Sequence, residues 1–545
     1  MSTMRWCRRE QAGKCSSRLC RISRCIAFIL GLALSPARAQ TIDASLSGTI
    51  TDPAGASVPA AKVQIVNTGT NAAVAVFSNS DGSYDAPALP AGTYDVTVSA
   101  NGFKTDRRTG VTLDVSQSAR LDLHLELGSM TETVDVTATA PLLDTTTSSV
   151  GQVVDSTSIA NLPLNQRNPF SLVFLAPGVT GTVSLLFNQG NISANGGRPG
   201  TEDVLIDGTP SAPPGAVPIN VIGIFPSVDA LQEFRVQTSN YAPEYGRSGS
   251  GIINMIFKSG TNQFHGTAFE LLRNSVMDSN SFFSNRAGIP LASFKRSQFG
   301  FTLGGPVMIP KLFNGHDKMF FFGDYEGLRQ RQATSTTGTV PTLLQRTGDF
   351  SQTFAQNGQK IIIYDPLTTT PSGPTYSRSP FPGNAIPANR IDRVAGNVMK
   401  YYPLPNQPGN PITNTNNYYA AGETPLNIDQ WDVKVDENLN DDNRFFVRVS
   451  RRDYENPHPV GLFPAAINVA ETDTSTQVLG SGASFDYTRT DSPSFVSEVR
   501  VGFSRDLFSQ VPIGYGFNTD QLGFPSYIHA MWRYPTFPRL LRRAS

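Results

Sequence analysis

Histidines are the residues most often used for acid–base and metal chemistry, and here they are few and scattered. No pair of them has metal-binding spacing and the motif H-E-x-x-H is absent; the four beyond residue 200 are His265, His316, His458 and His529. No phosphate-binding loop occurs, and no G-x-S-x-G lies between a predicted strand and a predicted helix. The sequence therefore predicts no enzyme, no metal site and no cofactor.

A run of carboxylates and amides from Asp436 to Asn443, DENLNDDN, carries the oxygen ligands that calcium prefers. The run lacks the central glycine and the terminal bidentate glutamate of a calcium loop. It also lies between two predicted strands. We therefore interpret it as a hairpin turn.

The first 39 residues have the order of an export signal. A basic leader precedes the apolar residues 26–34, IAFILGLAL, which are too few to span a bilayer. Ala37-Arg38-Ala39 then precedes Gln40, so cleavage is expected between Ala39 and Gln40. All four cysteines lie in this leader, and the exported chain is expected to have no disulfide and no thiolate metal site.

Removal of the leader changes the charge of the chain. The whole sequence has 44 basic and 44 acidic residues, and the leader holds eight of the first kind and one of the second. The rest therefore has 36 basic and 43 acidic residues, a net charge of −7. This excess of acid argues against a nucleic-acid partner.

Residues 45 to about 127 alternate short strands with turn clusters, which predicts a compact all-β unit. Its last strand is expected to bury every second residue, the leucines Leu121, Leu123, Leu125 and Leu127. His124 falls on the opposite, solvent-facing side. The segments GTITDPAGASVPAAKVQIVN and SDGSYDAPALPAGTYDVTVSANGF resemble the carboxypeptidase regulatory-like domain. That resemblance implies a seven-stranded β-sandwich with a carbohydrate-binding-like fold over residues 40–128.

Residues 129–140 are expected to be a linker that contains a short β-prone segment, ETVDVTA. By its position the segment resembles the TonB box, the energy-coupling segment of TonB-dependent outer-membrane transporters. The resemblance implies that it adds as a strand to a periplasmic TonB-type partner, mainly through backbone hydrogen bonds. The residues of this segment are Glu132, Thr133, Val134, Asp135, Val136, Thr137 and Ala138.

Residues 141–260 predict a mixed α/β unit, with a helix start at Asp155 and a short strand at 252–257 between clusters of serine and glycine. The pieces LPLNQRNP, ANGGRPGTEDVLIDG, SVDALQEFRVQT and YGRSGSGIINMIFKSG together resemble the plug domain of TonB-dependent transporters. Its charges fit either a plug inside a polar barrel lumen or a free-standing solvated domain: Arg198, Asp203, Asp207, Glu233, Arg235, Glu244 and Arg247. The change to the next unit is expected at about Gly260.

From residue 261 onward, segments such as SQFGFTLGG, QWDVKVDE and NRFFVRVSR alternate apolar residues with polar or small ones. Strands of an outer-membrane barrel alternate in this way, although a soluble β-sandwich does so too. Aromatic residues near strand ends fit the girdles of a barrel: Phe320, Phe321, Phe322, Tyr325 and Tyr454.

Longer phrases, among them FKRSQFGFTLGGPV, KMFFFGDYEGLRQRQ and NRIDRVAGNVMKYYPLPN, resemble the Oar-like branch of TonB-dependent proteins. A plugged 22-stranded barrel needs at least about 220 residues in strands alone. Roughly eight strands are predicted after residue 260, and the end, FPRLLRRAS, is not an amphipathic strand. We therefore expect residues 261–545 to be a partial antiparallel barrel of a truncated or fragmentary product, unless a second chain completes it.

The predicted fold is thus mainly β: a sandwich, an α/β plug and an incomplete transmembrane barrel. The predicted function is energised uptake of an extracellular ligand across the outer membrane. An oligosaccharide, a peptide and a siderophore are all open as the ligand, and the resemblance of the sandwich adds carbohydrate binding through the N-terminal domain as an expectation. The expected partners are a TonB-type protein and outer-membrane lipid. The alternatives are an envelope adhesion or structural protein without transport, and a non-functional fragment.

Overall fold

The computed structural model describes residues 43–137, 149–182, 192–198, 200–211, 224–241, 245–246, 248–286, 288–457, 474–492 and 495–531. Several residues named above lie outside these ranges: Ala39, Gln40, Ala138, Glu244, Arg247 and His458. In the part of the chain that is described, no helix combines the length and the apolar character needed to cross a membrane.

The first unit, here called the sandwich, packs two sheets on one apolar core. Its strands alternate buried and partly exposed residues, as β1 does along its whole length, so each sheet has one apolar face. One sheet has the order β4-β1-β7 with β8 also paired to β1, and the other has the order β3-β2-β5-β6-β9. The strands are β1 (Ala44–Thr51), β2 (Lys62–Asn67), β3 (Ala73–Phe77), β4 (Ser83–Leu89), β5 (Gly92–Ser99), β6 (Thr105–Leu113), β7 (Ser118–Arg120), β8 (Leu123–His124) and β9 (Thr133–Thr137).

The leucine strand expected at the end of the sandwich is only partly confirmed. Leu123 and Leu125 are buried and His124 is exposed, as predicted, but Leu127 is 69% exposed. The reason is the length of the neighbouring strand. β8 pairs parallel to the last residues of β1, which ends at Thr51, and the chain beyond Leu125 has no β1 partner left.

The second unit, here called the plug unit, is a small α/β layer around a five-stranded sheet of order β10-β15-β16-β13-β14. β16 lies at its centre, and all six of its residues are buried. Asp155 caps α1 as predicted, and Asn168 caps a 3-10 helix that follows it. Its elements are β10 (Val150–Val154), α1 (Ser156–Asn161), 3-10 helices Asn165–Arg167 and Pro169–Leu175, β11 (Val179–Thr180), β12 (Ser193–Ala194), β13 (Asp203–Ile206), β14 (Thr209–Pro210), β15 (Leu231–Ser239) and β16 (Ile252–Phe257).

The third unit, here called the wall sheet, is a seven-stranded antiparallel sheet of order β17-β18-β21-β24-β25-β26-β27. Within the described residues this sheet is open, because β17 and β27 do not pair with each other. Two small hairpins, β19–β20 and β22–β23, stand apart from it. The strands are β17 (His265–Asn274), β18 (Phe294–Pro306), β19 (Met308–Ile309), β20 (Phe313–Asn314), β21 (Met319–Gly338), β22 (Thr370–Ser372), β23 (Thr375–Ser377), β24 (Tyr418–Asn440), β25 (Asn443–Asn456), β26 (Thr474–Ser492) and β27 (Phe495–Pro512).

The two ends of the wall sheet differ in their connections. At one end, here called the short-turn end, β24 joins β25 and β26 joins β27 within two residues each. The run at 436–443 therefore contains a hairpin turn, as predicted, but the turn is only residues 441–442 and residues 436–440 still belong to β24. At the other end the connections are long, and that between β21 and β24 spans 339–417. The helical segments at the long-connection side are Ser275–Met277, α2 (Phe282–Arg286), α3 (Leu343–Arg346), Pro366–Thr368, Pro382–Asn384, Ala388–Arg390, α4 (Arg393–Met399), Thr519–Leu522 and α5 (Ser526–Met531).

The alternation predicted for the wall strands is confirmed. In β24, Trp431 and Val433 are on the outward face and exposed, whereas Asp432 and Lys434 are buried against the plug unit. The girdle assignment is wrong for three aromatic residues. Phe320, Phe322 and Tyr454 lie on the inward face and are almost fully buried, because they share the phase of the polar residues in their strands.

Gly260 marks the passage from the plug unit to the wall sheet. A Cβ atom at this residue would lie 2.4 Å from the carbonyl oxygen of Phe321 and 2.6 Å from that of Gly305. Both obstacles are backbone atoms of wall strands, so they cannot move aside. Only glycine permits the chain to pass this closely from one unit to the other.

Candidate functional site

A single buried carboxylate makes several of the contacts between the plug unit and the wall sheet. Asp207 and Gly208 form the two-residue turn between β13 and β14, and both have positive φ angles, as a tight hairpin turn requires. The Asp207 side chain is fully buried, and its Oδ2 lies 2.7 Å from Nε of Arg448 in the wall. Its Oδ1 lies 3.5 Å from Nζ of Lys434 and accepts the backbone N–H of Phe257 at 3.2 Å.

The guanidinium of Arg448 is satisfied by several further groups. It donates to the Ser450 hydroxyl and to the Ser484 hydroxyl, the latter at 3.1 Å. Its carbon lies 4.9 Å from the ring centroid of Phe257 on the plug unit, which adds a cation–π contact. A buried ion pair that loses one partner costs about 3–5 kcal/mol, so this cluster fixes the plug unit against the wall.

A pair of carboxylates lies beside this cluster. Asp324 and Asp432 are register partners on β21 and β24, and both side chains are buried. Asp324 Oδ2 accepts a hydrogen bond from the hydroxyl of Ser227 on the plug unit at 3.1 Å. Oδ1 of each carboxylate has no hydrogen-bond partner among the described residues. The inward face of the wall therefore carries both signs of charge, concentrated where the plug unit touches it.

A second group of contacts is made by arginines at the long-connection side of the plug unit. Arg167 pairs with Asp229 at 2.6 Å and lies 4.4 Å from the ring centroid of Phe269 in β17. In the wall, Arg452 is fully buried and stacks 5.3 Å from the ring centroid of Phe225. Charge and aromatic surface thus alternate across the whole contact, which has the character of a fitted interface rather than a solvated groove.

The sandwich meets the plug unit through its loop 114–117. Glu233 of β15 accepts the backbone N–H of Val115, and Arg235 donates to the carbonyl oxygen of Ser116 at 2.7 Å. Burial raises the pKa of Glu233 to about 8, and the nearby carboxylate of Asp114 adds to the effect. Glu233 and Arg235 belong to the charges that fitted either a barrel lumen or a solvated surface. Both contact the sandwich instead, because the 114–117 loop packs against the part of β15 where they lie.

The sandwich also touches the short-turn end of the wall sheet. Asp43 pairs with Arg444 at the start of β25. Asn71 and Asn262 both donate to Oδ1 of Asp317, at 2.9 Å and 2.7 Å. A cavity of about 560 Å³ remains between the three units, bounded by residues of the sandwich, the 256–261 passage and the turn between β24 and β25.

The segment predicted to couple energy lies on the sandwich. Thr133, Val134, Asp135, Val136 and Thr137 form β9, which pairs parallel to β6, and Glu132 precedes it. Across the described ranges, no three His, Cys, Asp or Glu side chains gather as a metal site would require.

Sequence reasoning did not find the Asp207, Lys434 and Arg448 cluster. Its signal was present, since Lys434 and Arg448 fall in the polar phase of two alternating strands and Asp207 occupies an Asp-Gly turn. The sequence does not show that the three side chains meet, because Asp207 lies more than 200 residues before Lys434 and Arg448 in the chain.

An antiparallel wall with an apolar outward face and a charged inward face that seats a folded plug defines the class of outer-membrane barrel proteins. A family model described as "Outer membrane beta barrel domain" matches residues 256–540, and the chain belongs to that family. A second, described as "Carboxypeptidase regulatory-like domain", matches residues 45–126.

The chain is similar to the TonB-dependent transporter Oar of Myxococcus xanthus, with 28% identity over 310 residues. The match covers 54% of this chain and 28% of that protein, so the chain spans about a quarter of the relative's length.

Among solved structures, the chain resembles the outer membrane transporter YddB of Escherichia coli, with 13% identity and a TM-score of 0.39 over 65% of this chain and 38% of that one. It also resembles the ferric enterobactin receptor of Pseudomonas aeruginosa, with 13% identity and a TM-score of 0.37 over 66% of this chain and 42% of that one.

Proposed function

We propose that the chain is a TonB-dependent outer-membrane receptor that takes up an extracellular ligand with energy supplied by a periplasmic partner. The observation that carries this proposal is the seating of the plug unit. Its turn carboxylate, Asp207, is bound by Arg448 and Lys434 of the wall, so the unit is held as a closure that force must displace. Removing one partner of a buried ion pair is costly, which fits a closure that opens only when force acts on it.

The chain order supplies a path for that force. β9, the proposed coupling segment, is followed after residues 138–149 by β10, and β10 is an edge strand of the plug sheet. Among the described residues, β10 pairs with β15 alone, by antiparallel pairing of five of its residues. A pull on β9 toward the periplasm would therefore reach β10 first and loosen the plug sheet from its edge.

The apolar outward face of the wall meets outer-membrane lipid, and the short-turn end with the sandwich faces the periplasm, as short turns do in such barrels. The ligand is an oligosaccharide or a peptide that binds at the long-connection side. Support for an oligosaccharide comes only from the carbohydrate-binding-like fold expected of the sandwich, which is an analogy of fold. Export uses a signal cleaved between Ala39 and Gln40.

The test measures accumulation of radiolabelled oligosaccharides and peptides in cells that express the chain. Three samples are compared: the parent chain, the same cells with a protonophore, and a variant lacking residues 132–138. Uptake that needs both the proton gradient and these residues is expected. If ligand binding at the cell surface is unchanged by the protonophore and by the deletion, the chain acts in adhesion and not in transport. Equal amounts of chain in the outer-membrane fraction serve as the control for export.

A further inference from the structure

The sandwich contacts the plug unit and the wall sheet at the same time. It is held to the plug unit by the bonds of the 114–117 loop and by Nε2 of Gln232, which donates to the carbonyl oxygen of Ala91 at 3.0 Å. It is held to the wall by two separate contacts, one at Asp43 and one at residues 67–71. The sandwich therefore bridges the seam, meaning the contact surface between the plug unit and the wall sheet.

Asp317 is the centre of one of the two contacts with the wall. It lies in the turn between β20 and β21, and its Oδ1 accepts hydrogen bonds from Nδ2 of Asn71 in the sandwich and Nδ2 of Asn262 just beyond the passage. The Oδ1 atom of Asn262 accepts the backbone N–H of Asp317 at 2.8 Å. The backbone N–H of Asn262 donates to the carbonyl oxygen of Gly69 at 2.9 Å. One carboxylate thus joins the sandwich, the passage and the wall.

The contacts with the wall are closer to solvent than those with the plug unit. The Asp317 side chain is 49% exposed, and that of Arg444, the partner of Asp43, is 25% exposed. Glu233, which holds the sandwich to the plug unit, is only 6% exposed. Water and salt screen exposed charges, and water competes for exposed hydrogen bonds. The sandwich is therefore expected to separate from the wall more readily than from the plug unit.

The cavity of about 560 Å³ lies between the sandwich and the Asp207 cluster. Residues 67–74 and 89–94 of the sandwich line one side of it. Another side is lined by Lys434, whose Nζ lies 3.5 Å from Oδ1 of Asp207. The sandwich thus covers the seam at the short-turn end, with the cavity between it and the buried ion pair.

The bridge couples movement of the plug unit to the position of the sandwich. When the plug unit leaves the wall, the sandwich cannot stay on both, so it loses its contact with one of them. The contact with the wall is the more exposed, and it is the one expected to open. While that contact is intact, it adds to the free energy needed to separate the plug unit from the wall.

We propose that the sandwich is a second closure of the seam, and that its contacts at Asp317 and Arg444 open before the plug unit can leave the wall. The proposal rests on the proposed function and adds a regulatory step to it. The Asp207 cluster closes the seam from within, and the sandwich closes it at the periplasmic end.

A reversible bond between the sandwich and the wall tests whether this contact restrains the plug unit. Asn71→Cys with Asp317→Cys replaces a hydrogen-bonded pair by two thiols, and all native cysteines lie within residues 1–25. A third change, Ala230→Cys, reports on the seam. Ala230 is fully buried in an apolar cluster with Phe257 of the plug unit and Phe322 of the wall.

The full chain with these three changes is purified in detergent and oxidised. A maleimide is then added to the oxidised chain and to the same chain after reduction, and the label on residue 230 is quantified by peptide mass. Labelling is expected to be at least about tenfold slower in the oxidised chain, because the disulfide keeps the seam closed. Equal rates would overturn the proposal, and so would a failure of positions 71 and 317 to form the disulfide.

The matched disulfide lies within the sandwich. Gln64 and Ala75 are register partners on β2 and β3, and Gln64→Cys with Ala75→Cys is combined with Ala230→Cys. Labelling of residue 230 is expected to stay within about twofold before and after reduction, because this bond does not join two units. A decrease as large as that of the bridged chain would show that any disulfide in the sandwich slows labelling, and would contradict the proposal.

Weakening the contact should act in the opposite direction. Arg444→Ala removes the partner of Asp43, and in the Ala230→Cys chain it is expected to raise the labelling rate about two- to fivefold. The matched variant is Arg489→Ala, which removes an exposed pair with Asp491 of the wall and is expected to leave the rate unchanged. An equal increase in both variants would show that Arg444 acts only on the wall, and would contradict the proposal.

The labelling rates need no ligand, so this proposal and the proposed function can fail separately. If cells with the parent chain accumulate none of the labelled oligosaccharides or peptides, while the disulfide between positions 71 and 317 slows labelling, transport fails and the second closure stands. If the parent chain accumulates one of them and the disulfide changes neither accumulation nor labelling, transport stands and the second closure fails.

Discussion

The plug unit meets its two neighbours through different chemistry. Against the wall sheet it is held by buried side-chain charge, with Asp207 between Arg448 and Lys434. Against the sandwich it is held by bonds to backbone groups of the 114–117 loop, made by Glu233 and Arg235. The first contact depends on the identity of three side chains. The second contact depends on the geometry of the loop and on the protonation of the Glu233 carboxyl group.

This difference suits two separate tasks. Separating one partner from a buried ion pair costs much free energy, because the other charge stays buried without its counter-charge. Such a contact suits a plug that must stay closed. A contact through backbone groups and one titratable carboxylate is weaker and more adjustable, which suits a domain that passes on a signal or a force. Four predictions test this contrast, beginning with the largest expected effect.

Removal of the buried turn carboxylate should have the largest effect. Asp207→Ala leaves Arg448 and Lys434 buried without their acid, and we expect a loss of about 3–5 kcal/mol in the stability of the plug–wall contact. Chemical unfolding in detergent measures it. The control is Asp441→Asn in the exposed turn between β24 and β25, expected to stay within about 0.5 kcal/mol of the parent. Equal effects of the two variants would refute the role given to Asp207.

A side chain at the passage between the units should be the next most damaging. Gly260→Val places atoms against the carbonyl oxygens of Phe321 and Gly305, and we expect a loss of about 1–3 kcal/mol. The matched change is Gly396→Ala in α4, where a Cβ meets nothing within 4 Å, and a small gain is expected. Urea denaturation of both variants compares them. A neutral Gly260→Val would show that the chain does not pass so closely.

The contact with the sandwich should weaken as the pH rises. The pKa of Glu233 is about 8 when folded and 4.5 in its ordinary state, so the folded protein holds a proton that the separated units release. Stability of the contact is therefore greatest below about pH 4.5 and is lost progressively up to about pH 8.

Hydrogen exchange at the Val115 amide measures this loss, once the intrinsic pH dependence of exchange is removed. Glu233→Gln cannot ionise, so its protection should not change across the same window. A parent chain whose protection is equally flat would contradict the assignment of the proton to Glu233.

The smallest effect is expected at the surface of the sandwich. Lys104 lies 3.4 Å from carboxylate oxygens of both Glu126 and Glu132, but both carboxylates are largely exposed to solvent and Lys104 is partly exposed. Exposed ion pairs contribute little because water and salt screen them. Lys104→Met should leave the melting temperature within experimental error. A marked decrease would show that β9 depends on this pair rather than on its backbone ladder.

Much of the fold was predictable because it depends on local pattern. The period-two alternation in QWDVKVDE placed Asp432 and Lys434 on one face and Trp431 and Val433 on the other, and the structure confirms both faces. The cap at Asp155 and the hairpin after Asn440 follow equally from neighbours in sequence. The aromatic residues Phe320, Phe322 and Tyr454 were misassigned because position near a strand end was given more weight than phase.

The sequence by itself determined the strands, their two faces and the order of the three units, since these follow from spacing along a short stretch of chain. Only the tertiary structure decided which partners the charged side chains contact. It brought Asp207 to Arg448, turned Glu233 toward the sandwich and paired residues 133–137 with β6. Contacts of this kind join residues far apart in the chain, and their partners are chosen by how whole sheets pack rather than by any local pattern.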